Sequence, residues 1–187
     1  VGWDDWVVSR SRELVSLRGR RVDSWVGVEM ALWGAPDDDG SDPQFGGLEV
    51  PCLHLLGLQA SRDHGGVVSV TTYQDDVFFG LLPSLEAKFA DGGRPWEGIY
   101  RWRPLTELPT GRIEHVAVFA DEGVLAEVHL RIGGQPLLLV AGELDGTPAD
   151  GLLFHRLDDS VLAFTDLAAV EHAIWTSSRQ DLALIHQ

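Results

Sequence analysis

The sequence is poor in several features that would announce a function. A single cysteine, Cys52, supplies neither an internal disulfide nor a multi-thiolate zinc site, which fits a reducing compartment. The longest apolar runs, such as Leu137 to Ala141, stop far short of the roughly 20 residues a membrane span requires. The opening residues Val1-Gly2-Trp3-Asp4-Asp5 lack the basic and apolar regions of a secretory signal, so a cytoplasmic location is expected. Positive charge is scarce: 14 basic side chains stand against 29 acidic ones, a formal charge of −15. That charge repels nucleic-acid phosphates and anionic lipid and favours a basic protein partner. Lysine is almost missing, Lys88 standing against 13 arginines, which reads as the codon bias of a GC-rich, bacterial genome.

Familiar catalytic signatures are also lacking. The chain has no Gly-x-Ser-x-Gly elbow, phosphate loop, dinucleotide fingerprint or His-Glu-x-x-His zinc helix, and neither a cofactor nor a metal is implied. Cys52 lies in an apolar segment and reads as a buried structural residue.

What is present is core-forming and mostly strand-like. Hydrophobic residues make up 44% of the 187 and seven are tryptophan, so the chain is long enough and apolar enough to bury a core as a single domain. Trp3 to Leu17 carries a helical stripe, with Asp4 and Asp5 at its start. From Arg21 the period changes to two, with Val22, Val26, Val28, Met30 and Leu32 marking a strand. Residues 35–47 are rich in turn formers and acid and predict a mobile loop. Further strands are expected at Leu48–Leu58 and Val67–Tyr73.

The second half is punctuated more sharply. Arg112–Ala120, Val124–Ile132 and Gln135–Gly142 are joined by Asp121-Glu122-Gly123 and by Gly133-Gly134, which predict a three-residue and a two-residue hairpin loop. Leu152–Leu157 and Ser160–Phe164 flank Asp158-Asp159, and Thr165 or Asp166 can cap a helix reaching about Trp175. A weak internal repeat relates residues 19–80 to 111–164, linked by 81–110. The fold expected is mostly β: an antiparallel sandwich or partly open barrel of two similar β-meander halves, with short helices near both termini, α+β by strict count.

Several side-chain groups are candidates for chemistry. With a three-residue loop, residue i of the first strand faces residue 244 − i of the second. His115 then lies opposite His129 with Glu127 one step along the same face, so these three are the candidate catalytic cluster. Asp75, Asp76, Glu143 and Asp145 fall near strand ends, and Asp37, Asp39 and Asp42 surround Gly40 without the downstream glutamate of a helical calcium loop. Residues 94–108 interleave Trp96, Tyr100 and Trp102 with Arg94, Arg101 and Arg103. Trp96, Tyr100, Arg101, Trp102 and Arg103 are therefore the candidate binding residues.

The leading expectation is a non-enzymatic acidic protein that engages a basic protein partner, with toxin-neutralising immunity proteins an analogy of class only. The alternative is a small-molecule-binding or small enzyme barrel with the His/Glu cluster in a cavity. Tryptophans marking an oligomer interface are a third expectation.

Overall fold

A computed structural model describes residues 4–32, 42–47, 49–89, 98–147 and 149–186. The helix α1 (Asp5–Val15) opens on Asp4, whose side chain accepts from the Trp6 amide at 2.8 Å and satisfies one of the free donors of the first turn. Strands β1 (Arg21–Met30), β2 (Leu53–Arg62), β3 (Val67–Asp75) and β4 (Phe78–Ser84) form an antiparallel meander. After β5 (Tyr100–Pro104), a second meander runs through β6 (Gly111–Asp121), β7 (Val124–Ile132), β8 (Gln135–Thr147) and β9 (Gly151–Phe164). The chain ends with α2 (Leu167–His172), β10 (Ile174–Trp175) and β11 (Ala183–His186).

The two meanders join at both margins. Arg21 and Val22 of β1 pair with Arg112 and Gly111 of β6, and Leu53–Leu55 of β2 pair with Val161–Ala163 of β9. The order β1-β2-β9-β8-β7-β6 therefore closes into a ring of six strands. The β1–β6 seam is short, and beyond it the strands diverge. β5 then continues along β1, and β11 pairs with the far end of β6. The barrel is accordingly partly open, with Leu105 and Leu108 buried beside the seam and Trp25 Nε1 donating to the Pro109 carbonyl at 2.8 Å.

Alternation explains which residues line the interior. Leu137, Leu139 and Ala141 of β8 and Val161 and Ala163 of β9 share one apolar cluster with Val116, Val118, Val128, Leu130, Leu55 and Leu58; Val7 and Leu14 of α1 join it. The intervening residues Leu138, Val140, Leu162 and Phe164 form a second cluster under α2, completed by Phe154, Val170 and Trp175. Because β8 and β9 are covered on both faces, Leu137 to Ala141 reads as a continuous apolar run instead of an alternating one. Full burial of each such leucine or valine contributes about 1.5–3 kcal/mol before entropy is counted.

Several sequence expectations move. β2 begins at Leu53, five residues later than the strand predicted from Leu48, and β4 and β5 lie wholly or partly in the stretch read as a linker. The helix ahead of Trp175 stops at His172, although Asp166 caps it as expected, accepting from the Ala168 amide at 2.9 Å. Asp158-Asp159 is not a hairpin turn. β9 runs through it with a bulge, since the register passes from Gly142↔Arg156 to Ala141↔Val161. Of the acidic loop, residues 35–41 lie outside the described residues. In its later part, Leu32 N–H donates to the Gln44 carbonyl at 2.8 Å and Phe45 lies under the Arg101 guanidinium, 4.4 Å away.

The bulge needs a glycine facing it: a Cβ at Gly142 would collide with the His155 carbonyl oxygen. Gly142→Ala is expected to destabilise by about 1–3 kcal/mol, as overpacking does, lowering Tm by roughly 2–4 °C per kcal/mol in a chain of this size. Thermal unfolding followed by circular dichroism checks this; an unchanged Tm would show that the bulge adjusts freely.

Candidate functional site

The β6–β7 hairpin closes differently from the expected loop. Glu122 and Gly123 both adopt positive φ, 48° and 85°, and form a two-residue turn between the paired Asp121 and Val124. Such turns match the right-handed twist of the flanking strands, and here the turn shifts the register. A bulge near Ala126 then brings most of the hairpin to pairs summing to 246: Val116 with Leu130, Val118 with Val128, Phe119 with Glu127 and Ala117 with His129. The shift is even, so the apolar face survives, but the histidine pairing does not. His115 lies opposite Arg131, while Glu127 and His129 remain together, His129 Nε2 standing 3.1 Å from Glu127 Oε2.

Glu127 is fully buried, and its partners arrive from the end of the chain. Arg179 donates to it through Nε at 2.7 Å and Nη2 at 2.6 Å, a two-pronged clamp. Arg156 Nε lies 3.8 Å from Glu127 Oε1, while its Nη2 donates to Asp121 at 2.9 Å and its Nη1 to the Ser178 carbonyl. Burial pushes the Glu127 carboxyl upward, but the hydrogen bonds from Arg179 and His129 outweigh it and hold the group below the ordinary carboxylate range. A carboxylate so engaged anchors the C-terminal segment to the barrel wall. Neither arginine was visible as a partner in the sequence, because local spacing carries no information across 52 or 29 residues.

The aromatic and cationic segment is also drawn inward. Its described part, residues 98–108, includes β5, where Arg101 and Arg103 donate to Glu29, itself 2% exposed, at 2.8 and 2.7 Å. Arg103 also binds Glu107 at 2.6 Å, and Trp102 Nε1 donates to the Phe89 carbonyl at 2.6 Å. Those hydrogen bonds lift the Arg103 guanidinium further above its usual range and lower the Glu107 carboxyl. Tyr100 is half-buried; Trp96 and Arg94 lie outside the described residues.

The acidic residues separate. Asp75 and Asp76 stand at the β3–β4 turn, and Asp145 accepts from the Gly146 amide at 2.6 Å. Glu143, however, meets the bulge of β9: one oxygen each from Glu143, Asp158 and Asp159 lies within 4.8 Å of the others. Burial and then the charges of Asp158 and Asp159 raise the Glu143 carboxyl above its ordinary value. Leu157, just before this pair, sits at φ 59°, a strained conformation for a bulky residue, and Thr72 holds the bulge by donating to the Asp159 carbonyl at 2.7 Å. Three hard oxygen donors suit a cation. Asp42 is exposed, and Asp37 and Asp39 lie outside the described residues.

Two concavities border β9. One, of about 420 Å³, is lined by Asp121, Glu122, Asp158 and Asp181 with Phe78, His155 and Arg156. The other, of about 380 Å³, is mostly apolar and lies among Pro51, Leu152, Phe154, Ala169, Ala173 and Ile174, with Glu49 and His172 beside it. Cys52 borders a smaller hollow of about 180 Å³, but burial pushes its thiol up to about 12, which makes it a poor nucleophile at neutral pH. His54 is 5% exposed, and neither ring nitrogen meets a hydrogen-bond partner among the described residues. No family model, curated protein or solved structure matches this chain.

Two predictions follow from these buried charges. Arg179→Ala leaves Glu127 buried without its main partner and is expected to cost about 3–5 kcal/mol. Urea unfolding measures it, and a loss below about 1 kcal/mol would mean that His129 and Arg156 suffice to hold the carboxylate. For His54, burial lowers the imidazole from 6.5 to about 4, against a smaller opposing effect of Glu29. The neutral folded form is therefore favoured fully above pH 6.5, and stability is lost as pH falls from there toward 4, by roughly 3 kcal/mol in all. His54→Leu should flatten that part of the stability–pH curve; an equally steep curve in the variant would assign the loss to other groups.

Proposed function

We propose that this protein is a non-enzymatic binding protein whose acidic surface engages a basic protein partner. The observation that carries the reading is how the charges are distributed. Arg101, Arg103, Arg156 and Arg179 are turned onto Glu29, Glu107, Asp121 and Glu127, while Glu143, Asp158 and Asp159 converge with no arginine or lysine paired to them among the described residues. Each such pair removes one cation and one carboxylate, so the net charge of −15 is undiminished, and a cationic partner relieves the repulsion among the carboxylates outside these pairs. The filled interior agrees with this role, since the ring encloses side chains such as Val116, Val128, Leu139 and Val161, each no more than 1% exposed. Tyr100, Trp102 and the arginines beside them then serve as scaffold near the β1–β5 edge, with the rings available to a partner only at their exposed margins.

The test is native mass spectrometry of the protein purified from its own host. A bound basic polypeptide is expected, with an association rate that falls about tenfold or more between low and high salt. A bare chain at low salt, or a partner bound equally fast at high salt, would overturn the reading. Glu143→Gln with Asp158→Asn and Asp159→Asn should slow association without changing the fold.

A further inference from the structure

The two concavities succeed one another along β9 and the segment beside it. Leu152 and Phe154 with Ala173 and Ile174 line the apolar one; residues 155–158 with 176–178 line the acidic one. This order follows from parallel pairing, in which Ile174 meets Leu153 and Trp175 meets Phe154, so that both chains advance in the same direction. Thr176 extends the arrangement by donating from its amide to the Phe154 carbonyl at 3.0 Å. Three residues of strand separate the middle of one hollow from the middle of the next, a distance of about 10 Å.

Each hollow has its own chemistry. Apolar side chains line the first, and Ile174 among them is 61% exposed; Leu153, its partner in the β9–β10 register, is 41% exposed. The second presents Asp121, Glu122, Asp158 and Asp181 around the ring of Phe78. The arginine among them, Arg156, is committed to Asp121, Ser178 and Glu127, and its side chain is 1% exposed. An aromatic wall with carboxylates suits a long cationic side chain, whose stem packs on the ring while its head meets the acids. β10 also stands at the end of the strand order, so its outer edge is free of further pairing among the described residues.

We infer that the partner's contact is a short extended segment that seats an apolar side chain in the hollow beside Ile174 and an arginine or lysine in the hollow beside Asp158. The inference rests on the acidic-surface reading above and locates it. A polyproline II segment meets the spacing without rearrangement, because its residues i and i+3 lie on one side roughly 9 Å apart. The apolar anchor supplies contact area and the cation supplies the sign selectivity, so neither hollow suffices alone.

The probe is a blocked Leu-Pro-Pro-Arg peptide titrated into the isotopically labelled full chain at low ionic strength, with amide shifts as the readout. Shift changes are expected at 152–158 and 173–181 together. Ala169→Trp, which fills the apolar hollow, and Asp158→Asn with Asp181→Asn, which remove two of the four carboxylates of the acidic one, should each weaken binding about tenfold while leaving the remaining spectrum unchanged. An Ala-Pro-Pro-Arg peptide bound as tightly as the leucine form would overturn the inference, as would shifts confined to residues away from β9. Polyarginine separates the two levels of the argument, because it requires only negative potential. Salt-sensitive binding of polyarginine with no response to the peptide removes the present inference alone; no binding of either removes the acidic-surface reading as well.

Discussion

The pairing of Leu53–Leu55 with Val161–Ala163 is the constraint on which the structure depends. Without it the two meanders would be a single open sheet held at the two-residue β1–β6 seam, with a long apolar face in water. With it, alternate residues of six strands converge on one interior and the backbone groups at both margins find partners. To reach β2, the end of β9 parts from the path of its beginning, and the bulge at residues 157–160 accommodates the change. That same bulge carries Leu157 at positive φ and delivers Asp158 and Asp159 to Glu143. Closure of the core and creation of the acidic cluster are thus consequences of one irregularity.

A second layer depends on the first. Once the ring is closed, the outer faces of β7, β8 and β9 still carry Glu127, Val140, Leu138 and Phe154, all of them buried, and the C-terminal segment helps to cover them together with Leu32, Val50 and Cys52. Apolar contact holds its first part, through Val170 and Trp175, and the Arg179–Glu127 clamp holds the next. A buried ion pair adds little net stability beside an apolar alternative, but it penalises misplacement heavily, because a displaced Arg179 leaves Glu127 desolvated and unpaired. The clamp therefore specifies where the segment lies, and by doing so it sets one wall of both hollows.

The charges repeat this logic across the molecule. Burial selects arginine as the partner of Glu29 and Glu127, since a planar guanidinium satisfies a carboxylate with two directed bonds. Four arginines are engaged with Glu29, Glu107, Asp121 and Glu127, a one-for-one neutralisation that leaves the net charge of −15 as the composition gives it. His54 is the counter-example, a polar ring buried without a hydrogen-bond partner among the described residues, and acid adds to the cost of its burial by charging it.

Much of the fold was legible in the chain. The Gly133-Gly134 turn, the Asp166 cap and the helical stripe before Leu17 each act within a few residues, where backbone preference and solvent exposure decide the outcome. In β1 the strand forms as expected, but irregularities after Val22 and Val28 bury Trp25 and Glu29 and leave Val26 and Met30 half-buried, so its expected alternation is not kept. The hairpin at Glu122-Gly123 marks the boundary of that legibility. Its faces follow from alternation, but its register follows from which residues of the turn accept positive φ, so Val118 met Val128 and His115 did not meet His129. The sites lie beyond that boundary. Arg179 reaches Glu127 only because the C-terminal crossing brings a distant segment to β7, and Asp158 approaches Glu143 across the β8–β9 pair at the bulge of β9. Sequence by itself determined most of the longer strands, the apolar face of the β6–β7 hairpin and the excess of negative charge, since these depend on local geometry and on counting; tertiary structure alone decided which charges are neutralised, since that depends on neighbours far apart along the chain.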